Sequence, residues 1–264
     1  MKNKRLVIIL SVLIALTIII VLCSAVFTVQ TVSVNWLTKP NVLTVKDNSS
    51  IVTASKIKKN SSVFTLKKQE YINNIEKSKA YIEVVKIEVK FPNKVVIHAR
   101  EREPYFYLNV GVGEYAILDK ELKVLEITND LNTYVKNFGL CPIELTLDGT
   151  ITANLTVSSG DFLNIMYGEL FKTFTSHLSK FDDYNTPTKA KVVIKNLTLK
   201  GKDLSIYTNL GLNIFIKDVD TNFKTKIQYG FSGYKQYKDT NSTGTILCYT
   251  NNTYFVLDDI SKYN

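Results

Sequence analysis

Apolar positions along this chain follow three successive patterns. From Leu6 to Phe27 they run without a charge, Pro or Gly, and about 20 such residues suffice for a helix to cross a bilayer. Lys2, Lys4 and Arg5 precede the run with no acid among them, so a cytoplasmic N-terminus and an exported C-terminus are predicted. A cleaved signal peptide fits less well. Its apolar core spans about 7–15 residues before a small-x-small site, whereas the one candidate here, Cys23-Ser24-Ala25, lies inside the run.

From Thr31 the period becomes two: Val32, Val34 and Trp36 face one way and Thr31, Ser33 and Asn35 the other, the signature of a half-buried strand. After Pro40-Asn41, a cap at Asn48 or Ser49 opens a short helix over Ile51–Lys58. Lys67–Lys79 spaces Tyr71, Ile72 and Ile75 at helical intervals. Val85, Ile87 and Val89 then alternate with Lys86, Glu88 and Lys90. Phe91-Pro92-Asn93 turns the chain, and Val95, Ile97 and Ala99 alternate with Val96, His98 and Arg100. Strand, helix, helix, strand, strand predicts two helices on one face of a three-stranded sheet, closed by Pro104, which has no N–H for a ladder.

The third region begins with extended segments at Tyr105–Leu108 and Tyr115–Leu118. A long helix follows, capped by Ser158 or Ser159, with Phe162, Ile165, Met166, Leu170, Phe174 and Leu178 on one face. Strands are expected at Ala190–Ile194, Leu204–Thr208, Leu212–Ile216, Thr245–Tyr249 and Tyr254–Leu257, with Asn251-Asn252 turning between the last two. The expected fold class is α+β, with a cytoplasmic tip at 1–5, one transmembrane helix at 6–27, a small domain at 28–104 and a larger β-rich domain at 105–264.

Composition changes this picture little. The formal charge of +9 is spread along the chain, which suits a solvated or mildly membrane-attracted surface and argues against nucleic acid. Three cysteines, Cys23, Cys141 and Cys248, exclude a disulfide framework; a Cys141–Cys248 bridge and two buried thiols both stay open. Sequons at Asn48, Asn60, Asn154, Asn196, Asn241 and Asn251 follow from a chain rich in Asn, Ser and Thr.

Candidate chemistry is sparse. His98 and His177 lie far apart and away from metal-ligand spacing, and each is expected to be solvated. The acid pairs Asp182-Asp183, Asp218 with Asp220, and Asp258-Asp259 fall in connecting segments, and no phosphate loop or nucleophile elbow occurs. No catalytic residue, metal, cofactor or small-molecule substrate is expected. An exported cell-wall enzyme, or another membrane-anchored binding protein, is the alternative reading.

Several short matches in the right order give the stretch from Val32 to Leu125 a family likeness. They are Lys59-Asn60-Ser61-Ser62-Val63-Phe64-Thr65-Leu66, Ala80-Tyr81-Ile82, Phe91-Pro92-Asn93, Ile97-His98-Ala99-Arg100-Glu101-Arg102-Glu103-Pro104 and Tyr115-Ala116-Ile117-Leu118-Asp119. Together they resemble the POTRA domain and following strands of the FtsQ/DivIB bacterial division family. A looser likeness covers the rest: a long helix, a hairpin over Leu204–Ile216, Lys226 before a helix and a closing hairpin. The family's glycines are absent near Asn35 and at Leu122.

The resemblance implies a non-catalytic scaffold of the division machinery, resident in the cell membrane at the septum. Its implied partners are single-pass FtsL-like and FtsB/DivIC-like proteins and, through them, the septal pair of FtsW and its transpeptidase. Arg100, Glu101, Arg102 and Glu103 would serve polar recognition. Thr245, Ile246, Leu247, Cys248 and Tyr249 would form an exposed edge strand that accepts a partner strand, with Tyr254 and Phe255 beside it.

Overall fold

The computed structural model describes residues 2–38, 48–138, 142–149, 155–165, 167–178, 192–240, 243–250 and 252–263. The chain divides into two compact units, Met1–Glu101 and Arg102–Asn264.

The first unit begins with helix α1 (Lys2–Val26), continues through β1 (Thr31–Trp36), α2 (Asn48–Ser55), a 3-10 turn (Val63–Thr65) and α3 (Lys68–Ser78), and ends with β2 (Ile82–Lys90) and β3 (Lys94–Glu101). Side chains of α1 are described at 9–18, 20, 21 and 26, and among the described residues no helix is long and apolar enough to cross a membrane. The sheet order is β1-β3-β2, with β1 parallel and β2 antiparallel to β3. This follows from connection length: a three-residue turn makes β2 and β3 a hairpin, whereas two intervening helices let β1 run parallel. Ile51 and Ile75 from the helices meet Ile82, Ile87, Val95 and Ile97 from the sheet, and Val32, Val34 and Trp36 pack against this core. The small α+β layout is the one expected.

Three local expectations are corrected in this unit. Helix α2 stops at Ser55 rather than Lys58, because Lys56 takes a left-handed φ of 57°. A bulge between Val84 and Lys86 breaks the alternation of β2, leaving Val85 46 % exposed while Val84 is buried. His98 is buried rather than solvated. On the central strand it lies between two neighbours, with Nε2 2.7 Å from Glu88 Oε2 and Nδ1 3.1 Å from Asn35 Nδ2. The hydrogen bond to His98 holds the Glu88 carboxyl below its ordinary range.

The second unit contains β4 (Phe106–Gly111), β5 (Glu114–Leu118), β6 (Val124–Thr128), α4 (Leu131–Phe138), β7 (Ile143–Leu147), α5 (Gly168–Leu178) and β8 (Ile194–Lys200). After these come β9 (Asp203–Thr208), β10 (Leu212–Ile216), α6 (Phe223–Tyr237), β11 (Gly244–Cys248), β12 (Thr253–Val256) and a 3-10 turn (Ile260–Tyr263). Among the described residues nine strands form one sheet in the order β12-β11-β10-β9-β8-β7-β4-β5-β6. Helices α5 and α6 bury Phe171, Phe174, Ile227, Phe231 and Tyr234 against it, with the rings of Phe174 and Phe231 6.3 Å apart.

The expected helix from Ser158 is corrected to α5 alone. Gly160 takes φ 87°, and the backbone ahead of α5 is committed to a bridge. Gly160 N donates to Val124 O at 2.8 Å, Val124 N to Asp161 O at 2.9 Å and Leu163 N to Leu122 O at 2.9 Å. A peptide group hydrogen-bonded in that way is unavailable to a helix. The strand expected at Ala190 begins instead at Ile194, and Lys226 lies inside α6 rather than before it. His177 sits in the last turn of α5, half-buried, its Nδ1 3.0 Å from Thr173 O. Met166, Cys141, Asp182, Asp183 and Asn251 lie outside the described residues.

Candidate partner-binding surfaces

The charged segment after β3 separates into two environments. In the first unit Arg100 forks onto Glu83 of β2, with Nε donating to Oε2 at 2.7 Å and Nη2 to Oε1 at 2.6 Å. The pair is cross-strand and in register, partly open to solvent, and Glu101 is half-buried beside it.

Arg102 behaves differently. Its side chain is 4 % exposed and its Nη1 lies 2.5 Å from Asp119 Oδ2 and 3.2 Å from Glu121 Oε2. Asp119 Oδ1 accepts the backbone N–H groups of Glu121 and Lys123, both at 2.8 Å. The turn closes with Leu122 at φ 63°, a left-handed conformation that glycine adopts freely and a branched side chain does not. Leu122 is fully buried in the core, which offsets that strain. Burial pushes the Asp119 carboxyl up from its ordinary range, against the opposing pull of the Arg102 guanidinium and the two backbone donors. Above the turn, the Phe162 ring receives Lys123 Nζ at 4.9 Å and the Arg102 guanidinium at 5.8 Å. Arg102 is therefore corrected from a recognition residue to a buried brace, and Glu103 is the exposed charge next to it.

The closing hairpin also departs from expectation. Strand β11 is not an edge: it pairs in parallel with β10 and antiparallel with β12. Chain order explains this, since α6 carries the chain over the sheet before β11, and such a crossover returns a strand parallel to the one it left. Both faces of β11 are covered. Toward α6, Gly230 and Gly233 let the helix approach so closely that a Cβ at Gly230 would lie 2.7 Å from Ile214 Cγ2 and 3.3 Å from Cys248 Sγ. Toward the other face, Leu247 and Phe215 pack under Ile260. Ile246, Leu247 and Cys248 are buried, and Thr245 donates its hydroxyl to Asp258 O at 2.8 Å.

The edge is β12. Tyr254 is 51 % exposed, and Phe255 is half-buried, stacked on Tyr237 at 4.5 Å. Gly244 permits the pairing, because at φ 136° a Cβ would stand 2.7 Å from Val256 O. Tyr249 N donates to Asn252 O at 2.9 Å, which makes 249/252 a hydrogen-bonded pair. By antiparallel alternation Tyr254 and Val256 point their backbone groups at β11, and Thr253 and Phe255 point theirs outward. Thus, among the described residues, Tyr254 and Phe255 lie on a strand with no neighbour on its outer side, and Thr245–Cys248 lie behind it. The Arg102 brace follows β5, toward the opposite end of the same sheet.

Sequence reasoning singled out Lys226 but not its role: it is buried, and its Nζ donates to Lys217 O at 2.6 Å, Asp218 O at 2.8 Å and Thr221 Oγ1 at 3.0 Å. It ties the start of α6 to the end of β10, and burial holds its pKa below the ordinary value. Among the described residues no group of three or more His, Cys, Asp or Glu is placed to hold a metal ion.

Residues 43–102 match a family model described as POTRA domain, FtsQ-type. The cell division protein DivIB of Clostridium acetobutylicum is 29 % identical over 172 residues, covering 65 % of this chain and 59 % of that protein. DivIB of Clostridium botulinum strain Hall is 33 % identical over 125 residues, 47 % of this chain and 46 % of that protein. DivIB of Clostridium tetani is 29 % identical over 196 residues, 72 % of this chain and 68 % of that protein. The chain thus spans about half of the length of the first two relatives it matches. Residues 43–102 thus carry the likeness of an FtsQ-type POTRA domain, and over many more residues than that domain the chain resembles DivIB cell division proteins.

Proposed function

We propose that the chain is a non-catalytic scaffold of the divisome that recruits and regulates septal peptidoglycan synthesis by binding single-pass partners of the FtsL and FtsB/DivIC kind and, through them, the septal pair of FtsW and its transpeptidase. The observation that carries this reading is the free side of β12, where Thr253 and Phe255 turn their backbone groups outward beside the exposed Tyr254. Such an edge binds an extended segment through main-chain hydrogen bonds, with alternate side chains giving specificity. The binding residues of the hairpin are then those of β12, and Thr245–Cys248 support them from behind. Arg100 and Glu101 offer polar groups for partner recognition on the first unit, and Glu103 an exposed charge on the second.

The N-terminal segment Leu6–Phe27 is the membrane anchor in this account, with residues 1–5 cytoplasmic, a POTRA-like domain over 28–104 and a β-rich domain over 105–264 outside the cell membrane. Its support is the apolar helix α1, in which Ile9, Leu10, Val12, Leu13, Ile14, Leu16, Ile18, Ile20 and Val21 are each more than half exposed. A contiguous apolar surface of that size is costly in water and stable in lipid.

The edge-strand reading is tested by capture of the DivIC-like partner on the full chain carrying Thr253→Pro. Proline removes one outward N–H and leaves the pairs with β11 in place. Capture should be lost in Thr253→Pro and kept in Thr253→Ala. Undiminished capture by folded Thr253→Pro contradicts the edge as the docking site.

A further inference from the structure

Phe27, Phe64 and Phe91 form a triangle of rings, with centroids 5.4 Å apart for Phe27–Phe64, 6.1 Å for Phe27–Phe91 and 5.9 Å for Phe64–Phe91. The unit that holds them has an adequate core, yet Phe64 is 67 % and Phe91 64 % exposed. Two large rings left at the surface and packed on a third make a built apolar patch rather than a scattered exposed residue.

Its position is fixed by backbone. Val63 N donates to Phe27 O at 3.0 Å, Val29 N to Ser61 O at 2.8 Å, Asn60 N to Val29 O at 2.9 Å and Gln30 N to Asn93 O at 2.9 Å. These bonds stitch the residues that directly follow α1 to the 3-10 turn bearing Phe64 and to the β2–β3 turn bearing Phe91. Both exposed rings are therefore held at the C-terminal end of the apolar helix. The flanking sequence is predominantly basic: residues 57–68 and 90–94 contain Lys58, Lys59, Lys67, Lys68, Lys90 and Lys94 and no Asp or Glu, all six lysines are exposed, and Lys67 pairs with Glu70 at 3.3 Å.

Aromatic rings at the end of a membrane-crossing helix settle at the boundary between acyl chains and headgroups. Lysines beside them are attracted to anionic headgroups, with stems long enough to keep the charge in water. We propose that this platform seats the first unit on the bilayer surface, with Phe64 and Phe91 inserted at the boundary and the flanking lysines on anionic lipid. The proposal rests on Leu6–Phe27 being the anchor. Its consequence is that the small domain is held against the membrane rather than free to swing on a tether.

The test uses the full chain in vesicles of phosphatidylcholine and phosphatidylglycerol, some carrying brominated acyl chains that quench tryptophan on contact. Trp36 is the sole tryptophan, so a Trp36→Phe background receives one reporter at a time: Phe64→Trp, Phe91→Trp or, as control, Val85→Trp. Val85 is exposed on β2, six residues before Phe91 and so about 20 Å along the strand. Reporters at 64 and 91 should lose emission to the brominated lipid while the reporter at 85 keeps its own, and the loss should weaken when phosphatidylglycerol is omitted. Carbonate extraction run alongside separates the two claims. Protein stripped from the vesicles overturns the anchor and the seating together, whereas integrated protein whose reporters at 64 and 91 stay unquenched overturns the seating alone. Emission at 64 that responds to protein density but not to bromination assigns the patch to a second copy and also overturns it.

Discussion

Arg102 Nη1 stands 2.5 Å from Asp119 Oδ2, with the two side chains 4 % and 3 % exposed. Two sequence motifs seventeen residues apart, Glu101-Arg102-Glu103-Pro104 and Leu118-Asp119, are thus halves of one brace. One carboxylate oxygen holds the guanidinium, and the other organises the turn from Asp119 to Lys123. A charge that reads as a recognition surface in the sequence is consumed inside the fold.

Removing Asp119 leaves the buried Arg102 facing the partly exposed Glu121 and two turn N–H groups without their acceptor, which costs about 3 kcal/mol. Asp119→Ala should lower the unfolding free energy of the full chain in detergent by that amount, measured by urea denaturation. Replacing both partners, Arg102→Met with Asp119→Asn, should recover part of the loss, because the amide oxygen still accepts the N–H groups of Glu121 and Lys123. An Asp119→Ala cost below about 1 kcal/mol, the range of exposed ion pairs, contradicts the buried brace.

The close approach of α6 to β10 and β11 depends on Gly230. A methyl group there meets Ile214 Cγ2 at 2.7 Å, and overpacking of this kind costs about 1–3 kcal/mol. Gly230→Ala should lower the thermal midpoint. Gly201→Ala is the control for helix-free space: no atom lies within 4 Å of its Cβ, so its loss should reflect only its φ of 57°. Equal shifts in the two variants contradict close helix packing.

Cys248 is fully buried on β11, and burial pushes its thiol from an ordinary 9.0 up to about 12. With Cys23 and Cys141 replaced by Ser, the folded chain should stay unreactive to maleimide at pH 8–9, because the thiolate is the nucleophile. Full reaction should follow denaturation. The folded value is raised, so the stability conferred by the neutral thiol is fully present below pH 9 and lost as pH rises toward 12. Prompt labelling of the native chain contradicts the interior placement of β11.

The small domain was legible in the sequence because its strands and helices are amphipathic, and periods of two and 3.6 residues show wherever one face is buried. The alternation failed where a bulge turned Val85 outward and where β3, central in its sheet, buried His98 between Asn35 and Glu88. The second unit was less legible for a related reason. Residues 244–248 are buried on both faces, and a strand in a parallel pairing carries a continuous apolar run with no preferred face. Such a run does not reveal whether it is an edge or an interior strand. The signal that did exist was Gly230 and Gly233 within the apolar-periodic stretch from Phe223, which marks a helix lying close on a sheet. The Arg102–Asp119 pairing had no local signal at all, since it is made by the β4–β5 hairpin bringing distant segments together.

A role as a division scaffold is checked by imaging a fluorescent fusion of the full chain in dividing cells. A band at midcell that forms with the septum and is weakened by Thr253→Pro is expected. A uniform signal around the cell perimeter throughout division contradicts it.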